Sequence, residues 1–182
     1  MRGMMNTQAK LIVMLYLFVG ITSRVEFTNI KCNCLDERYC RIEDCYLKSI
    51  NRSYKYMSVK VNVWKPPITK LWVNFALYKR SSGYKPFLYN ITLDACKFVK
   101  NPKSNPVAAY FYAFITDYSN LNHSCPINDN VLILDKMSID FVNHRITALL
   151  PFPEGDYLLE SHWSPDNIHN KMVIFKFYVS LI

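Results

Sequence analysis

The residues in this 182-residue chain with the widest chemical range are its six cysteines, at positions 32, 34, 40, 45, 96 and 125. Thiolates can hold zinc, attack electrophiles or pair as disulfides. Zinc sites ordinarily place two to four residues between paired ligands, whereas Cys32-Asn33-Cys34 has one. The even count suits a disulfide framework instead, the normal use of cysteine in an exported chain. Six cysteines allow fifteen pairings, and spacing does not choose among them. A nested set, Cys32 with Cys45 and Cys34 with Cys40, would staple one hairpin. Cys96 with Cys125 would then clamp a helical segment onto a sheet. Each bridge would stabilise by about 2–4 kcal/mol.

Catalytic signatures are missing. His123, His144, His162 and His169 lie in no zinc-protease helix motif, and no Gly-x-Ser-x-Gly elbow is present. Glu160, Ser161 and His162 are consecutive. In a strand they alternate between faces and cannot form a triad among themselves. Glu154 and Asp156 belong to a turn, which explains them without acid–base work. Gly83 and Gly155 are the only glycines beyond position 20, too few and too far apart for a Walker loop or a dinucleotide fingerprint. No metal and no cofactor are expected.

Aromatic residues are the other chemical resource. All three Trp, 12 of 13 Tyr and 10 of 11 Phe follow position 23. Ligand pockets are mostly apolar, but so are ordinary cores. The candidates for a pocket wall are Trp64, Trp72, Phe75, Phe111, Phe114, Phe152, Trp163, Phe175 and Phe177, with the helix–sheet seam as the expected location.

The first 23 residues read as a secretory signal peptide. Arg2 and Lys10 are followed by an apolar run over 11–21, with small residues Thr22 and Ser23 at a cleavage position. The run is shorter than a membrane span, so cleavage near Ser23 is expected, with one exported domain over 24–182 and no stable membrane anchor. Three glycosylation sequons, at Asn51, Asn90 and Asn122, agree with export. Beyond the leader, 20 basic residues face 14 acidic ones, a net charge of +6. The basic residues are scattered, which suits a solvated surface better than nucleic-acid binding.

The elements that must position these residues are mainly β. Apolar side chains alternate over 57–63 and 71–77, the period of strands with one buried face. Further extended segments are expected at 86–93, 131–139, 145–150, 157–163 and 171–181, with turns over 79–85 and 151–156. One helix is expected at 106–116, capped by Ser104-Asn105 and opened by Pro106; a buried strand is the alternative for so apolar a run. Short strands at regular spacing suggest a β-sandwich.

Several segments carry a resemblance. Phe27 to Cys32, Cys45 to Lys48 with Asn51-Arg52, Gly83 to Asn90 and Asp94 to Phe98 are four of them. The clearest are Tyr118 to Pro126 and Leu150 to Tyr157. In order and spacing they resemble a large family of small secreted insect proteins, expanded in fruit flies, whose domain has no known function. That family is similar to the chemosensory CheB proteins, and more distantly to the ML (MD-2-related lipid-recognition) proteins and the ganglioside activator. The resemblance implies an immunoglobulin-like, ML-type β-sandwich with a lipid-sized cavity between its sheets; with the helix and the cysteines read above, the expected fold is that sandwich with one short helix, stapled by disulfides. The family pattern matches Cys32, Cys45, Cys96 and Cys125. Cys34 and Cys40 are extra here, which supports their pairing with each other. No ligand-contact residues carry over.

The expected function is non-enzymatic: an extracellular protein that holds an apolar small molecule or lipid, in chemosensory or reproductive signalling. The alternative is an extracellular interaction module with a filled core, whose partner is a receptor or another protein. Cavity volume separates the two, because a core packed at crystal-like density leaves no room for lipid.

Overall fold

The alternation over 57–63 and 71–77 becomes two strands in the computed structural model, which describes residues 24–52, 54–64, 66–149, 152–165 and 172–182. Eight strands are described: β1 (Val25–Cys34), β2 (Cys40–Ser49), β3 (Lys55–Val63), β4 (Leu71–Ser81), β5 (Gly83–Asp94), β6 (Val131–Ser138), β7 (Gly155–Pro165) and β8 (Val173–Leu181). They form two antiparallel sheets. One has the order β1-β8-β7-β4-β5 and the other β2-β3-β6. Met57, Val59, Val61 and Val63 point from β3 into a common core with Leu71 and Leu77 of β4 and Val173 and Leu181 of β8. The fold is a β-sandwich. The expected leader and its cleavage point lie outside the described residues, as do Leu150, Pro151 and His169.

Three bridges are formed: Cys32–Cys45, Cys34–Cys40 and Cys96–Cys125. The first joins β1 of the large sheet to β2 of the small one. The second joins the last residue of β1 to the first of β2.

The structure corrects the expectation of a single helix. Three α-helices are described: α1 (Ala95–Lys100), α2 (Pro106–Ile115) and α3 (Ile139–Leu149), with a 3₁₀ turn at Pro102–Ser104. Residues 145–149, expected to be extended, belong to α3. Ile139 and Val142 are buried and Ile146 packs on the core; their spacing of three and four places them on one helical face. Ser138 Oγ accepts the Phe141 N–H at 3.3 Å and caps the first turn. The six residues from Arg145 to Leu150 are too few to separate the two periods, and the helix start lay upstream of them.

The helix read at 106–116 is α2. Asn105 Oδ1 accepts the Ala108 N–H at 3.0 Å, and Pro106 occupies the first turn. Asn105→Ala should cost about 1 kcal/mol, read as a Tm lower by about 2–4 °C in a domain of this size. Thermal unfolding by circular dichroism checks it.

Helices α1 and α2 pack on β4 and β5. Phe75, Phe98 and Ala108 form a second buried cluster there, with Phe111 and Tyr112 against it. The turn into β7 is fixed by the Tyr157 hydroxyl, which donates to the Pro153 carbonyl. Gly155 has φ of +138°, and a Cβ there would meet Lys79 Cε at 3.1 Å, so only glycine fits.

Candidate functional site

Strand parity decides what faces the space between the sheets. On the large sheet, Leu77, Leu159 and Phe177 form one cross-strand row, and Phe75, Ser161 and Phe175 the next. Met57 and Val59 of β3 and Leu134 of β6 face them from the small sheet. Helices α2 and α3 contribute Phe111, Phe114, Val142 and Ile146.

These faces share a buried core but do not fill the space between them. Three adjoining cavities of about 130, 170 and 60 Å³ lie between them. The first two share Phe111, Ile115, Leu134, Leu159 and Phe177. Leu134 also walls the third, together with Trp163 and Phe175. Strand β8 shows the same thing residue by residue. Its ends, Val173 and Leu181, are buried, while the inward Phe175, Phe177 and Val179 between them are only half-buried. In a filled sandwich the centre of an inner strand is its most buried part.

The walls offer water almost nothing. Trp163 Nε1 donates to Ser161 Oγ at 2.6 Å, Tyr112 hydroxyl to the Leu121 carbonyl at 2.9 Å, and Tyr157 hydroxyl to Pro153. Wall polar groups are thus paired with the protein. A buried water needs two to four polar partners, and apolar cavities of this size stay dry or take apolar guests.

Seven of the nine aromatic candidates line this space. Phe111, Phe114, Phe152 and Phe177 wall the first cavity, and Phe75, Trp163 and Phe175 join at the second. The structure corrects the other two. Trp64 is 52% exposed, with Nε1 donating to the Glu37 carbonyl at 3.1 Å. Trp72 alternates with the inward Leu71 and Val73, so it faces outward, with Lys70 Nζ 5.4 Å from its ring centre. Composition did not reveal the aliphatic wall, Val25, Met57, Met137 and Val142 among it. The parity of β3 and the spacing in α3 were the signals for Met57 and Val142.

Among the described residues, His123, His144 and His162 do not converge. His162 Nε2 lies 2.5 Å from Glu160 Oε1, on the outer face, and Lys176 Nζ is 2.9 Å from Glu160 Oε2. Burial would raise the Glu160 carboxyl, but these two hydrogen bonds outweigh it and hold it below its usual range. Ser161 points the other way, into the core. His123 pairs with Asp129 at 3.1 Å at the surface, where a hydrogen bond to the Ser124 carbonyl, helped by Asp129, raises its pKa. His144 is exposed. Among the described residues, no group of three or more His, Cys, Asp or Glu is placed to hold a metal ion. Asn51, Asn90 and Asn122 are all exposed. Asn74 Nδ2 donates to both Asn90 Oδ1 and Thr92 Oγ1, at 2.8 and 2.9 Å.

Residues 73–159 match a family model described as a protein of unknown function, DUF1091. The match agrees with the resemblance to a family whose domain is uncharacterised. It runs from β4 into β7, so it contains all three helices and both cysteines of the Cys96–Cys125 bridge. No curated protein matches the chain.

Proposed function

We propose that this chain is an exported, non-enzymatic carrier that holds an apolar ligand, a lipid or hydrocarbon-like signal, between its two sheets. The observation that carries this reading is the row of unfilled apolar cavities at the centre of the sandwich. Burying each methylene there contributes about 0.8 kcal/mol, so a long chain binds without any catalytic group. The same voids speak against the alternative of an interaction module with a filled core. Export is supported by three disulfides. Among the described residues, no helix is long and apolar enough to cross a membrane. The proposal includes a signal peptide over 1–23 and a mature domain over 24–182. A role in chemosensory or reproductive signalling, and kinship with the CheB and ML proteins, belong to it too.

Native mass spectrometry of the protein secreted from insect cells, followed by organic extraction, tests the reading. One equivalent of bound lipid is expected, either co-purifying or taken up from a lipid mixture. A mass that stays unliganded after incubation with such mixtures overturns it.

A further inference from the structure

The first cavity ends at the seam between α2 and α3, and that seam holds a cation. The Arg145 guanidinium lies 4.8 Å from the ring centre of Phe141 and 5.9 Å from that of Phe114. Phe114 and Tyr110 wall the cavity from α2, and Ile146, next to Arg145, walls it from α3. Among the described residues, Arg145 Nε is buried with no acceptor. A desolvated donor left unpaired is costly, and in a native structure it calls for an explanation. Among the described residues, the one carboxylate paired with the guanidinium is Asp117, with Oδ2 3.9 Å from Nη2 and a side chain 60% exposed. So loose and wet a pair contributes little and is easily displaced. Tyr110 hydroxyl donates to the Arg145 carbonyl, at 3.4 Å. Burial pushes this phenol up to about 12, so it remains a donor at neutral pH. Among the described residues, none lining the first cavity is charged.

We propose that the ligand is a single-chain amphiphile with a carboxylate head, and that Arg145 selects it by receiving that head at the α2–α3 end of the cavity. This rests on the apolar-carrier reading above. The chain would lie along the cavity row. The head would take the guanidinium donors that Asp117 holds weakly, and a planar fork matches a carboxylate with two parallel hydrogen bonds. Tyr110 hydroxyl would supply a further donor. Lys79 is the competing cation, with Nζ 5.5 Å from the ring centre of Tyr157, another wall residue. Its ammonium is a hydrated point charge without a fork.

Displacement of a fluorescent apolar probe, N-phenyl-1-naphthylamine, from the full chain tests the assignment with palmitate and 1-hexadecanol as competitors. Palmitate should bind roughly 10- to 100-fold more tightly than the alcohol, the range of a charge-assisted hydrogen-bonded contact. Arg145→Gln should erase that preference and leave hexadecanol binding unchanged, whereas Lys79→Gln should keep it. Asp117→Asn, at an exposed position, should tighten palmitate alone by about two- to fivefold, and it reads the same contact if the Arg145 variant fails to fold. Equal affinity for acid and alcohol in the wild type overturns the inference. So does loss of the preference in the Lys79 variant instead, or unchanged palmitate affinity in Asp117→Asn. Failure of the probe and both competitors to bind would overturn the carrier reading itself, which separates the two failures.

Discussion

Leu159→Trp should abolish binding of a long-chain ligand and leave the protein as stable as before. Leu159 pairs with Leu77 and Phe177 across the large sheet and walls both larger cavities. An indole at this position fills the passage between them. Excluding even four methylenes forfeits about 3 kcal/mol, roughly a 200-fold loss of affinity. In a filled core the same substitution would be overpacking and would cost about 1–3 kcal/mol. Here the added atoms enter empty space and gain contacts that the walls lack, so stability should hold or rise. Parallel titration and thermal unfolding read both quantities. A destabilised protein with intact binding would show that the space is closed in solution and that the ligand lies elsewhere.

Removing the Cys96–Cys125 bridge should give the largest loss of stability of any disulfide-pair deletion between residues 32 and 125. Its cysteines are 29 positions apart, against 13 and 6 for Cys32–Cys45 and Cys34–Cys40. On the loop-entropy account, Cys96→Ala with Cys125→Ala costs about 3.5 kcal/mol, and Cys34→Ala with Cys40→Ala about 2 kcal/mol. The first corresponds to a Tm lower by about 10 °C in a domain of this length. Cys96 is buried in α1, and Cys125 lies two residues before Ile127, which bridges to Ile68. The bridge therefore ties the helical layer to the chain leading into β6. Ligand affinity should fall with stability in this variant, because α2 roofs the cavities. Thermal unfolding of the two double variants side by side checks the order, and the reverse order would refute the account.

Much of the sandwich was legible because its cause is local. Alternation at 57–63 and 71–77 assigns each side chain to a face, whatever else the chain does. The α2 helix was legible for the same reason, since Asn105 and Pro106 set its start within three residues. α3 was not. Its C-terminal residues taken alone have no decisive period, and its cap at Ser138 is the last residue of β6. The two tryptophan candidates failed alike. Trp72 has the outward parity of β4, a fact present in the alternation that aromatic composition overrode. Trp64 shares the outward parity of Ser58, Lys60 and Asn62 and is exposed just past the end of β3.

By itself, the sequence determined which faces are apolar and where most strands run. It did not determine whether the apolar faces fill the space between them. That is decided by tertiary structure: by how the two sheets stand when α2 and α3 place Phe111, Phe114, Val142 and Ile146 between them and Cys32–Cys45 ties β1 to β2. Phe175 and Phe177 would read identically in a filled core. Their half-buried state depends on atoms from both sheets and both helices at once, and no local pattern encodes a space.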